Sequence, residues 1–163
     1  MIVRGLVWSA LAALCAAVST FAGPVALEDP STGKAVVVEP GAEALHLVFF
    51  ATWCPACVGE LPRLGEIEER WSRKGYRLVL VGVRTRQSGD RLAGFVKAQR
   101  PPGRLLFDLA GEAEREWKAA KLPTHLVLDA SGKEVARSSA LDAKIEAAIA
   151  DLLAEKRGGG RGP

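Results

Sequence analysis

Two cysteines three positions apart, Cys54 and Cys57, stand at the seam between two different hydrophobic patterns. Before them, Leu45-His46-Leu47-Val48-Phe49-Phe50-Ala51 is a nearly unbroken apolar run, as a central strand covered on both faces requires. After them, from Pro55 to Lys74, Val58, Leu61, Leu64, Ile67 and Trp71 recur every three or four residues. That is the stripe of an amphipathic helix, with Gly75 where it should stop and Pro62 inside it as the source of a kink. A second apolar run, Leu78 to Val83, completes a βαβ unit whose two strands should lie parallel with a right-handed crossover.

This placement gives the thiols a chemistry. A cysteine at the start of a helix faces free backbone N–H groups and the positive end of the peptide dipoles, both of which favour an anion. Cys54 is therefore expected to be a stabilised thiolate, the species that attacks disulfides. Cys57 lies one turn inside the helix, where it can attack a mixed disulfide formed by Cys54 and release the partner. Pro55 suits the first helical position, because its fixed φ fits and its missing N–H is not needed there. A purely structural disulfide is the other reading, but closing so short a loop restricts the unfolded chain very little.

The remaining body supplies further elements. Val25-Ala26-Leu27 and Ala35-Val36-Val37-Val38 flank a turn-rich segment and predict a β-hairpin. Helices are predicted over 88–99, 112–120 and 141–155, the last with Ile145, Ile149 and Leu152 on one stripe. Strands are predicted over 105–107, 124–129 and 134–137. Mixed strands with helices on both faces make an α/β sandwich. A chain of 163 residues has room for one such domain, placed here at residues 23–155.

Both ends fall outside that domain. Residues 1–22 carry Arg4, then an uncharged apolar stretch, then small residues, the layout of a secretory signal peptide; an uncleaved membrane anchor is the competing reading. Cys15 would leave with the leader, and Leu14 before it is not the small residue that lipid attachment needs. Residues 156–163 are basic and Gly-rich and predict a disordered tail. The net charge of +3 resides in these ends, so the body offers no basic face for nucleic acid. An exported chain lives where disulfides persist, which favours a redox pair over a zinc half-site.

At this point the sequence resembles the thioredoxin superfamily, and within it the exported thiol–disulfide oxidoreductases of the TlpA/ResA type. Trp53-Cys54-Pro55-Ala56-Cys57 followed by Glu60-Leu61-Pro62 fits their W-C-x-x-C-x-x-E-x-P pattern. Leu122-Pro123-Thr124 is similar to their cis-proline loop, and the hairpin before the catalytic strand is similar to an addition found in this subgroup. The resemblance implies a thioredoxin-like fold, a mixed central sheet flanked by helices with an N-terminal β-hairpin extension. It implies a cis Pro123 beside the disulfide, whose neighbouring backbone pairs with an extended client segment; from the residues alone a trans bond would be expected. It also implies action as a monomer on protein clients in the periplasm, as a reductant in cytochrome c or metal-site maturation, with a membrane-embedded thiol donor and no cofactor. The chain departs from thioredoxin proper at Val48, where that protein has a buried Asp six residues before the first cysteine. Two readings of Glu60 follow from its helical spacing: a general base for Cys57, or a surface carboxylate paired with Arg63 or a lysine. Trp53 is expected to shield the edge of the disulfide, with Trp71 and Trp117 in packing roles.

The rival function is metal delivery. Soft thiolates suit Cu(I) or zinc, and Cys54, Cys57 and His125 could form a three-ligand site, whereas His46 lies at the far end of its strand. For each histidine the plainer reading is a hydrogen-bonded strand residue. A peroxidase would want Thr or Ser three residues before the reactive cysteine, where this chain has Ala51.

Overall fold

The computed structural model describes residues 25–158, so the expected leader lies outside the described residues. Seven strands form one sheet: β1 (Val25–Glu28), β2 (Ala35–Val38), β3 (Ala44–Phe50), β4 (Tyr76–Val83), β5 (Arg104–Asp108), β6 (Thr124–Leu128) and β7 (Glu134–Ser138), in the spatial order β2-β1-β5-β4-β3-β6-β7. The predicted β1–β2 hairpin is present and extends the edge by antiparallel pairing of β1 with β5. β3, β4 and β5 run parallel, whereas β6 is antiparallel to β3 and β7 to β6.

Every residue of β3 is buried, which accounts for its unbroken apolar composition. The strand places alternate side chains on opposite faces. Phe50 meets Phe95 of α3 (Gly89–Gln99), while Phe49 meets Trp117, which caps the short α4 (Glu112–Glu116) on the other face. Ser88 caps α3 by accepting the Arg91 N–H. Trp117 is core and Trp71 packs against the core, as expected.

Two boundaries differ from the sequence reading. The single helix predicted over 55–74 is divided into α1 (Pro55–Gly59), α2 (Leu61–Trp71) and a 3-10 turn, Ser72–Lys74, closed by Gly75 in the left-handed region at φ 99°. Pro62 has no N–H to give the Val58 carbonyl, and Glu60 N–H takes that acceptor instead, so the expected kink is a break at Glu60. The last helix, α5 (Ala143–Gly158), continues through residues 156–158, which correct the expected start of the disordered tail; residues 159–163 lie outside the described residues. Its buried stripe is Ile145, Ile149 and Leu153, with Leu152 only partly buried. Among the described residues no helix is long and apolar enough to cross a membrane.

Gly82 lets α3 settle onto the sheet. A Cβ there would lie 2.8 Å from Leu92 Cδ1, whereas one at Gly94 would meet nothing within 4 Å. Gly82→Ala is therefore expected to destabilise by about 1–3 kcal/mol through overpacking. Gly94→Ala should instead stabilise by up to about 1 kcal/mol through helix propensity. Urea unfolding midpoints at unchanged m-value check both, and equal midpoints for the two variants would contradict this packing.

Candidate active site

β3 ends at Phe50, and the next residues turn into α1 with Cys54 as its N-cap. The Cys54 Sγ accepts the Cys57 backbone N–H at 3.2 Å, and the two cysteines are joined by a disulfide. Because α1 has only five residues, this local N–H, more than a long helix dipole, supplies the stabilisation of a Cys54 thiolate. Cys54 is 6% exposed and Cys57 only 1%, so the first sulfur is the one a partner can reach.

The loop that carries them is braced from β4. Gln87 accepts the Thr52 N–H at 3.0 Å on its Oε1 and donates from Nε2 to the carbonyls of Phe50 and Val83. Trp53 donates its indole N–H to the Thr85 carbonyl at 2.9 Å, and the Arg86 guanidinium sits 5.2 Å from its ring centroid. Trp53 thus lies beside the cysteines as expected, on the rim of an open cavity of about 450 Å³ shared with Cys54, Ala56, Leu122 and Glu114. Burial, then the neighbouring Asp108, push the Glu114 carboxyl above its ordinary range, against the opposing pull of Arg84. The Leu122–Pro123 peptide is cis, as the family resemblance implied, and Leu122 brings this loop to the cavity.

Glu60 goes inward. Its Oε2 accepts from His125 Nε2 at 2.9 Å and its Oε1 accepts the Leu141 N–H at 2.8 Å. Arg63 instead pairs with Glu146, so the surface pairing of Glu60 with Arg63 is not what forms. Behind His125, its Nδ1 lies 3.1 Å from His46 Nε2, and His46 Nδ1 lies 2.9 Å from the Tyr76 hydroxyl. Both histidines are fully buried, and each is a hydrogen-bonded strand residue. Since both His125 nitrogens are engaged, the three-ligand set Cys54-Cys57-His125 does not assemble. Among the described residues no group of three His, Cys, Asp or Glu side chains is placed to hold a metal.

Burial, then the charge of neighbouring His125, hold His46 well below the ordinary imidazole range. Burial also lowers His125, with the Glu60 charge and hydrogen bond and the Asp142 charge pulling the other way. Sequence reasoning missed Gln87 and the His46–His125–Tyr76 connection. The three rings sit on different strands, and only the register brings them to one face: Val48 opposite His125, and Ala44 opposite Tyr76.

A Redoxin family model matches residues 17–152. The sporulation thiol-disulfide oxidoreductase A of Bacillus subtilis is 26% identical over 102 residues, covering 62% of this chain and 62% of that protein. The thiol-disulfide oxidoreductase ResA of Bacillus thuringiensis is 25% identical over 93 residues, covering 57% of this chain and 53% of that protein. The matches thus span between half and two thirds of these relatives' lengths. A thioredoxin family thiol:disulfide interchange protein from Chlorobium tepidum superposes with a TM-score of 0.69 at 22% identity, covering 83% of this chain and 97% of that one. The fold is thioredoxin-like, as the resemblance implied.

Two measurements follow. After reduction, Cys54 should alkylate with an apparent pKa at least about one unit below the free-cysteine value of ~8.5, while Cys57 stays protected until unfolding; equal, unperturbed reactivity of both would refute the assigned geometry. The unfolded chain protonates histidine near pH 6.5, whereas folded His46 and His125 stay neutral, so the unfolded state binds more protons below that pH. Stability present above about pH 6.5 should fall as pH drops, by at most roughly 1.4 kcal/mol per histidine per pH unit. Urea unfolding between pH 7.5 and 5.5 reads this, and a flat profile would rule out two buried neutral rings.

Proposed function

The chain belongs to the Redoxin family, and on that premise we propose that it is a thiol–disulfide oxidoreductase acting on protein clients through Cys54 and Cys57. One observation carries the reading: the more exposed sulfur of the pair caps a helix, accepts a backbone N–H, and opens onto a cavity beside the cis-proline loop.

In the reductive direction, the Cys54 thiolate attacks one sulfur of a client disulfide. A Cys54–client bond forms and the second client sulfur leaves as a thiolate. Cys57 then loses its proton and attacks Cys54 Sγ, forming the Cys54–Cys57 bond and expelling the first client sulfur. Two electrons pass to the client. Glu60, one helical turn beyond Cys57, is the acceptor of the Cys57 proton in this reading, since Val48 has none to offer. Trp53 walls one side of the cavity, and the backbone beside Pro123 receives an extended client segment, a role supported by Leu122 at the cavity wall.

Reduction as the working direction, export through the 1–22 leader or retention by it as an anchor, action as a monomer in the periplasm, a membrane-embedded thiol donor, and clients in cytochrome c or metal-site maturation belong to the same proposal. The leader's three-part layout and the names of the relatives support it.

Cys54→Ser should abolish reduction of a disulfide-bonded protein substrate by more than about a hundredfold, and Cys57→Ser should trap a Cys54–client mixed disulfide visible by mass spectrometry. A fully active Cys54→Ser variant would end the proposal. The potential of the couple decides direction: near about −270 mV it is a reductant, near about −120 mV an oxidant.

A further inference from the structure

The hydrogen-bond ladder behind Glu60 can be written in only one sense. An ionised Glu60 is acceptor-only, so His125 must carry its proton on Nε2. With neutral His125, Nδ1 is then an acceptor, so His46 must donate from Nε2. That leaves His46 Nδ1 as an acceptor for the Tyr76 O–H. Tyr76, His46, His125 and Glu60 thus form a fully satisfied chain, Tyr76 to His46 to His125 to Glu60, with no charge until its last member. Burial disfavours the anion of Tyr76, so it enters as a neutral donor.

We propose, resting on the thiol–disulfide exchange reading above, that His125 is a positioning residue which aims Glu60 at the Cys57 proton, and that His46 and Tyr76 lock His125 in the neutral Nε2–H tautomer this requires. If His125 became an imidazolium, its Nδ1–H would face the Nε2–H of His46 across 3.1 Å, two donors with no acceptor between them. The ladder therefore blocks His125 from taking the proton itself. A charged His125 beside Glu60 would make the carboxylate a weaker base, whereas a neutral donor holds it in place and leaves it able to accept.

Other charges bear on the same groups. Asp142, tied to Ser138 and the Ile145 N–H before α5, favours protonating His125. Glu68 of α2 faces Tyr76. Arg63 donates to the Leu141 carbonyl, on the residue whose N–H holds Glu60 Oε1. With Asp142 and Glu60 both drawing a proton toward His125, burial and the His46 donor are what oppose it.

The step to measure is resolution. Reduced protein mixed with 5,5′-dithiobis(2-nitrobenzoate) in a stopped-flow instrument should release two thionitrobenzoate anions. The first comes from attack by Cys54, the second when Cys57 attacks Cys54 Sγ and passes its proton to Glu60. His46→Phe removes the block on His125. The second phase should then slow at least about tenfold at pH 6 relative to its rate at pH 8, beyond any such change in the unmodified protein, while the first phase is unaltered. Tyr76→Phe should act in the same direction, by about threefold. His125→Gln, which keeps an N–H for Glu60 and cannot ionise, should recover most of what His125→Ala loses.

Ring ¹⁵N spectra of the unmodified protein test the ladder without relying on activity or on a variant's folding. Both histidines should be neutral with the proton on Nε2 from pH 5.5 to 8. A proton on Nδ1 of either ring, ordinary titration near pH 6.5, or an unchanged second-phase pH profile in both His46→Phe and Tyr76→Phe would overturn the proposal. If those results came while Cys54→Ser still abolished the first phase, the exchange reading would stand without it. A first phase that survived Cys54→Ser would remove the exchange reading itself.

Discussion

The contact on which the site depends is the hydrogen bond from the Cys57 backbone N–H to Cys54 Sγ. It exists because a buried parallel strand ends at Phe50 and the chain turns at once into a helix whose first N–H groups have no carbonyl to meet. A sulfur placed there is anchored as an acceptor in the form that reacts. The bracing around it has the same purpose. Gln87 spans the ends of β3 and β4 and holds Thr52, and the Trp53–Thr85 bond fixes the outer wall. The loop that carries the reactive atom is thereby held at the edge of a rigid sheet and not left to its own flexibility.

The proline inside the helix links local backbone chemistry to the second thiol. Pro62 cannot serve the Val58 carbonyl, and the helix divides at Glu60. Residues at a junction between helices are free of the strict helical spacing of side chains. Glu60 uses that freedom to reach both His125 on β6 and the Leu141 N–H ahead of α5, which joins the helix of the cysteines to the C-terminal part of the fold. A carboxylate given two fixed donors is held in one orientation, one turn from Cys57. The same substitution pattern, Val48 where thioredoxin has Asp and His125 directly opposite it, moves the ionisable group from β3 to the α1–α2 junction.

Much of this was legible in the sequence because it depends on neighbours along the chain. The β3 run, the βαβ unit, the edge hairpin, the N-cap thiol and the stop at Gly75 are all short-range patterns, and each appears where its residues place it. The cis bond at Pro123 came only through the family resemblance, since nothing local distinguishes it from a trans turn. What escaped was set by register. Tyr76, His46 and His125 come from three strands, and no periodicity along one strand shows that they share a face. Gln87 was invisible for a similar reason: it looks like an ordinary loop residue until the ends of two parallel strands converge on it.

A buried polar chain in the middle of a sheet is costly unless every member is satisfied. Here the two ends decide the whole. An acceptor-only carboxylate at one end and a phenol that burial keeps protonated at the other leave a single consistent arrangement of protons between them. Removing a partner anywhere would strand a donor or acceptor in the core, so the chain's stability and its directionality have the same origin. That origin also explains why two histidines sit in so apolar an environment: at neutral pH they behave as uncharged connectors. The only charge in the chain is at its mouth, on the side of the buried cysteine, where a proton must go when the second sulfur attacks.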